Sequence, residues 1–115
     1  MSEVHVNGEF IVAHDVILNR VGSTSVANIS GMVVETVGNG ESKKEIFSYF
    51  DLEVWDKAAE YVEKNLRKGD TIIVNRGTPR QNRWEKDGVK YSKTIFRVLS
   101  FRIIPKKEHQ VEQGN

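Results

Sequence analysis

Three aromatic residues alternate with two carboxylates along residues 45–55, a pattern that could bind unpaired nucleic-acid bases. In an extended strand, Phe47, Tyr49 and Trp55 share one face with Asp51 and Glu53. A core would not accept the two acids, so this face is expected to meet solvent or a partner. Exposed aromatic rings offer flat surfaces on which bases stack, and packing under a loop or in a subunit interface is the alternative. The opposite face is predicted to fill the core with Ile46, Ser48, Phe50, Leu52 and Val54.

The dipeptide Asp87-Gly88 predicts a tight hairpin that carries cations beside aromatic rings. With these residues at the centre of the turn, Trp84 lies opposite Tyr91, and an ion pair is expected between Glu85 and Lys90. Rings can stack on bases while cations contact phosphates, so the hairpin is a candidate site for single strands. The alternative is an ordinary hairpin whose rings pair only with each other. The basic residues of the candidate site are Arg76, Arg80, Arg83, Lys86, Lys90, Lys93 and Arg97.

The charges are unevenly distributed along the chain although the net charge is only +1. Residues 1–66 hold five Lys/Arg and eleven Asp/Glu, a balance of −6, whereas residues 67–107 hold twelve Lys/Arg and three Asp/Glu, a balance of +9. The last eight residues add −2. A stretch of +9 can present a positive face to phosphates, and a solvated charged surface is the alternative.

Other kinds of chemistry have little support in the sequence. The chain of 115 residues has no cysteine, which excludes disulfides and thiolate metal sites. The three histidines lack metal-ligand spacing. Asp51, Glu53 and Asp56 could serve a small metal-dependent nuclease, but no partner motif accompanies them. We therefore expect no enzymatic activity and no cofactor. We also expect no membrane association and a cytoplasmic location, in a bacterial cell or a phage-infected host, because neither a signal peptide nor a spanning segment is evident.

The elements that must position these residues are short strands and one helix. Apolar-rich runs near residues 3–12, 14–20, 25–35, 45–55, 70–77 and 89–104 predict strands. Residues 56–68 predict the helix, with Asp56 as N-cap and Gly69 as a left-handed C-terminal cap. This order favours a five-stranded Greek-key OB-fold barrel with a protruding β-hairpin arm, and an SH3-like barrel is second. Residues 1–105 are expected to form the domain, and residues 106–115 a short polar tail.

Three segments resemble the bacterial and phage single-stranded DNA-binding proteins. They are the stretches 25–29 (SVANI), 55–70 (WDKAAEYVEKNLRKGD) and 83–91 (RWEKDGVKY). The resemblance covers residues 3–104 and implies an OB-fold, usually a homotetramer with DNA wrapped over it. The stacking positions of the family fall on Tyr49, Trp55 and Trp84, and a further tryptophan usual near Thr36 is absent. The acidic tip that recruits repair and replication proteins in the family is also absent, and the sequence leaves open whether the chain is truncated or lacks such partners.

The sequence thus predicts a protein that coats single-stranded DNA with little sequence preference during replication, recombination or repair. An OB-fold adaptor of the primosomal type, with secondary nucleic-acid binding, is the alternative. We further predict a homo-oligomer, with a tetramer favoured. The first strand, residues 3–10, is the candidate edge for pairing between subunits.

Overall fold

The computed structural model describes residues 3–106, so the predicted tail beyond Lys106 lies outside the described residues. The strands are β1 (Val6–Val12), β2 (Ile17–Val21), β3 (Thr24–Val37), β4 (Lys44–Trp55), β5 (Thr71–Lys86) and β6 (Val89–Ile104). A 3-10 turn (Gly40–Ser42) joins β3 to β4, and one helix, α1 (Asp56–Asn65), joins β4 to β5. Each of the six predicted runs corresponds to one strand. No helix within residues 3–106 is long and apolar enough to cross a membrane.

Five strands close a barrel in the order β1–β5–β6–β4–β3, and β3 pairs again with β1 to complete it. Strand β2 is additional and pairs with the first residues of β3. The pairs are antiparallel except for β4 with β6, which run parallel and meet only at residues 51–53 and 95–97. This topology with one helix is the OB-fold that the sequence predicts.

The core fills the barrel and extends under the helix. Ile29, Leu52 and Ile72 are fully buried between the strands, and α1 adds Ala59 and Val62 to the same cluster. These helical residues are three apart, so they lie on one face of α1. The helix therefore covers the barrel with this apolar face.

Both ends of the helix differ from the prediction. Trp55 is the N-cap, and Asp56 is the first helical residue with a φ of +62°. The chain turns sharply out of β4, and Asp tolerates this left-handed conformation better than most residues do. The helix ends at Asn65 because Leu66 is already extended. Gly69 does adopt a positive φ of +94°, but in the turn before β5 rather than at the helix end.

A close approach between β1 and β3 requires a glycine. A Cβ on Gly31 would lie 2.9 Å from Cβ of Phe10. The Phe10 ring packs edge-on against Phe50, with centroids 5.9 Å apart, and Phe50 packs in turn against Phe96. Near its start, β1 has a register shift between Val6 and Gly8, which is typical of a β-bulge.

Two ribbons extend from the barrel. The first, formed by β3 and the earlier half of β4, contains residues that the sequence predicts to lie in the core. In β4, Leu52 and Val54 are buried as expected, but Ile46 is 45% exposed and Phe50 is 36% exposed. The prediction that these two fill the core is wrong. Strand β6 reaches β4 only from Asp51 onward, so the earlier half of β4 pairs with β3 alone. The second ribbon is the predicted arm, where residues 80–94 are all exposed.

Candidate nucleic-acid interface

The register of three strands places most of the predicted site residues on one surface. Directly opposed residues share a face of a sheet. In β5 and β6, Trp84 opposes Tyr91 and Arg80 opposes Ile95, while Asp51 of β4 pairs with the same Ile95. Alternation along each strand extends this surface. We call it the aromatic face; its members are Phe47, Tyr49, Asp51, Glu53 and Trp55 of β4, Arg80 and Trp84 of β5, and Tyr91, Lys93 and Arg97 of β6.

Glu53 lies at the centre of the aromatic face and binds two of its neighbours. Its side chain is only 7% exposed. Nη2 of Arg80 donates to Oε2 of Glu53 at 2.7 Å, and Nε of Arg80 donates to Oε1 at 3.3 Å. The indole Nε1 of Trp55 also donates to Oε1, at 3.1 Å. A carboxylate this buried needs such donors, so Glu53 fixes the positions of both Trp55 and Arg80.

The remaining partners on the barrel part of this face are also cationic. The guanidinium of Arg97 lies over the Trp55 ring, 5.4 Å from its centroid, a cation–π contact. Nζ of Lys93 forms an ion pair with Oδ2 of Asp51 at 3.1 Å, and both side chains are about half exposed. Asp51 and Glu53 of β4 are therefore neutralised by cations of β6 and β5, respectively.

The arm carries the predicted aromatic pair at its outer end. The rings of Trp84 and Tyr91 are nearly parallel, at 16°, with centroids 5.6 Å apart. Asp87 and Gly88 form the turn with φ values of +52° and +78°, as a two-residue hairpin loop of this type requires. The predicted register is confirmed. Glu85 does oppose Lys90, but the expected ion pair between them is not formed within the described residues.

An open groove of about 610 Å³ runs beside this ring pair. Residues from both faces of the twisted arm line it: Gln81, Arg83, Trp84, Glu85, Lys90, Tyr91 and Ser92. Arg83 donates two hydrogen bonds to the amide oxygen of Gln81, so its charge is not compensated by an acid. The groove can thus offer a ring surface and uncompensated cations to the same ligand.

Not every predicted residue lies on the aromatic face. Arg83 and Lys90 belong to the opposite face of the arm, since they alternate with Trp84 and Tyr91. Lys86 lies at the tip of the arm, opposite Val89, and alternation places it on the same side as Trp84. Arg76 is separate, because a register shift follows it and its guanidinium contacts the imidazole of His5.

The sequence did not reveal how the face is held together. The Glu53–Arg80 pair joins residues 27 positions apart, and Ile95, 6% exposed, is buried on the outer side of the barrel beneath this charged layer. The only signal in the sequence was the opposite sign of the two halves of the chain. Residues 3–106 contain no group of three or more His, Cys, Asp or Glu that could hold a metal ion.

Comparison with known proteins gives consistent results. Residues 12–104 match the family described as the single-strand binding protein family. A single-stranded DNA-binding protein of Treponema pallidum (strain Nichols) is 29% identical over 66 residues, which are 57% of this chain and 37% of that protein. The chain thus spans little more than a third of the length of this relative.

Solved structures share the fold at low identity. A small single-stranded DNA-binding protein from Streptomyces coelicolor superposes with a TM-score of 0.73 at 12% identity, covering 95% of this chain and 99% of that one. A Plasmodium falciparum SSB in complex with ssDNA gives 0.74 at 19% identity, covering 91% and 96%. The wild-type single-stranded DNA-binding protein from Thermus aquaticus gives 0.71 at 17% identity, covering 90% of this chain and 52% of that one.

Proposed function

The chain belongs to the single-strand binding protein family, and on this premise we propose that its aromatic face and arm bind single-stranded DNA. One observation supports this most: four rings of one surface are exposed to solvent, with Phe47 at 53%, Tyr49 at 60%, and Trp84 and Tyr91 each at 44%. Trp84 and Tyr91 stack on each other, which leaves the outer side of each ring open. Since a folded chain rarely leaves large rings uncovered without use, the surface is suited to a flat ligand.

Binding combines two interactions that tolerate any sequence. Unpaired bases stack on the rings, because every base has a π-face. Phosphates approach the cations that no acid compensates, such as Arg83, Lys86 and Lys90. Neither interaction reads the identity of a base, so we expect little sequence preference. Such coating would protect exposed strands during replication, recombination or repair.

The protein acts by binding rather than by catalysis, and the proposal needs neither metal nor cofactor. Of the three carboxylates that could serve a nuclease, Asp51 is paired with Lys93 and Glu53 with Arg80. The adaptor hypothesis is the main rival. It predicts that a protein partner binds more tightly than any oligonucleotide.

Self-association is part of the proposal, with a tetramer favoured. Residues 6–10 of β1 pair with β5 on one side, whereas β3 joins the other side only at residues 11 and 12. The remaining backbone groups on that side are free to pair with a second copy. This supports the prediction that the first strand, residues 3–10, forms the contact between subunits.

A competition titration tests the proposed function. The chain is titrated with a fluorescent single-stranded oligonucleotide, and unlabelled DNA, RNA and duplex of equal length compete at several salt concentrations. We expect single strands to bind best, with log affinity falling by about 0.7 per contacted phosphate for each unit of log salt. Equal affinity for duplex and single strand, or no dependence on salt, would contradict the proposal.

A further inference from the structure

Two acids at the centre of the aromatic face are each paired with a cation, whereas the cations of the arm are not paired with acids in the described part of the chain. On the barrel, Glu53 neutralises Arg80 and Asp51 neutralises Lys93. On the arm, Lys86, Lys90 and Arg83 have no ion pair within the described residues. Cations therefore occur on both parts of the surface. On the barrel, two of the three are paired with acids and the third, Arg97, lies over the Trp55 ring, whereas those of the arm have no acidic partner among residues 3–106.

Asp51 is the exposed member of this arrangement. Its side chain is 52% exposed, and it lies between Tyr49 and Glu53 on the same face of β4. Among residues 3–106, only its Oδ2 has a partner, Nζ of Lys93 at 3.1 Å. A phosphate that approached Lys93 would therefore meet a carboxylate at almost the same place. A base that stacked on a neighbouring ring would bring no such charge.

We propose that Asp51, supported by Glu53, selects single strands by keeping phosphates away from the centre of the aromatic face. A single strand can turn its bases toward the rings and its phosphates toward the arm. Duplex DNA presents phosphates along its whole outer surface and hides its base faces, so it must bring phosphates close to Asp51. The carboxylate thus acts as a specificity determinant. This inference rests on the proposed function.

Glu53 contributes by removing Arg80 from the cations that phosphates can reach. The carboxylate is nearly buried and binds the guanidinium through both oxygens. Breaking this pair would leave a buried charge without its partner, which is strongly unfavourable. Arg80 consequently stays on Glu53 when DNA approaches, and it holds the barrel part of the face together instead of binding the backbone.

The size of the effect can be estimated for one phosphate. Two unit charges 6 Å apart in water repel each other enough to lower affinity about threefold. Removing the charge of Asp51 abolishes this repulsion and also frees Lys93 to contact the phosphate. We therefore expect Asp51→Asn to strengthen duplex binding by about threefold or more, with a smaller change for single strands.

The experiment compares four proteins at low salt: the unchanged chain, Asp51→Asn, Glu53→Gln, and Glu63→Gln as the control. Glu63 is exposed on α1, away from the aromatic face, and its replacement changes the net charge equally. Each protein is titrated with a single-stranded oligonucleotide and with a duplex, and the ratio of the two affinities is measured. Thermal melting verifies that each variant is folded. If Glu53→Gln is unstable, Asp51→Asn alone is sufficient for the test, because it removes only a half-exposed charge.

A ratio that falls about threefold or more in Asp51→Asn, but not in Glu63→Gln, supports the inference. A ratio that stays constant or rises overturns it, and so does an equal fall in the control. If the unchanged chain does not prefer single strands, the proposed function itself fails. If it does prefer them and the ratio in Asp51→Asn is unchanged, only the inference about Asp51 fails.

Discussion

Replacing Trp84 by alanine should weaken DNA binding strongly and stability only slightly. The Trp84 ring stacks on Tyr91 through one side and is still 44% exposed, so its other side is available to a base. Stacking of one base is worth about 1–3 kcal/mol, which corresponds to a loss of affinity of about 5- to 150-fold. Within the folded protein, the change removes mainly the contact with Tyr91, worth about 0.5–1.5 kcal/mol.

The assay uses the fact that the chain has two tryptophans. In Trp84→Ala, Trp55 alone reports binding through quenching of its fluorescence, while an anisotropy titration with labelled oligonucleotide measures the affinity. The loss of stability should lower the melting temperature by about 2–8 °C. Trp84→Phe, which keeps a ring, should recover most of the affinity.

Tyr61 provides a matched control. It is an aromatic residue of α1, 55% exposed and in contact with Phe101, but it is not part of the aromatic face. Tyr61→Ala should therefore leave the affinity for DNA unchanged. A folded Trp84→Ala protein with the affinity of the unchanged chain would refute the stacking role of the arm, and an equal loss in Tyr61→Ala would show that the effect is not specific.

Three further predictions concern the barrel. Gly31→Ala should destabilise the fold by about 1–3 kcal/mol, because a Cβ there meets Phe10 at 2.9 Å; an unchanged melting temperature would contradict this overlap. Asp70 is 1% exposed and accepts hydrogen bonds from the backbone N–H groups of Arg67 and Lys106. Asp70→Ala should therefore lower the free energy of unfolding, measured by urea denaturation, by about 3 kcal/mol or more. Light scattering at micromolar concentration without DNA should give a mass several times that of the 13.1-kDa chain, and a monomeric mass would exclude self-association.

Local patterns in the sequence were sufficient to predict the arm. Asp87 and Gly88 determine a two-residue turn, and a turn of fixed length determines which residues oppose each other. The pairing of Trp84 with Tyr91 followed directly from this. The order of strands and helix likewise identified the barrel, because few folds accept that order.

The errors arose where distant segments determine the environment of a residue. The alternation in β4 correctly separated its two faces, but burial of Ile46 and Phe50 depended on how far β6 extends beside β4. The sequence also could not pair Glu53 with Arg80, since the approach of β5 to β4 is a property of the closed barrel. At the helix start, Asp56 was a reasonable N-cap by type, yet the sharp exit from β4 moved that position to Trp55.

The short parallel contact between β4 and β6 has a consequence for the motions of the barrel. Only residues 51–53 and 95–97 join these strands, whereas β5 and β6 pair from the barrel to the tip of the arm. Regions with few shared hydrogen bonds open at lower free energy than long ladders do. We therefore expect backbone amides along this contact to exchange with solvent deuterium sooner than those in the middle of the β5–β6 pair. Because Glu53 and Arg97 face each other across it, a bound strand that spans both sides should slow that exchange.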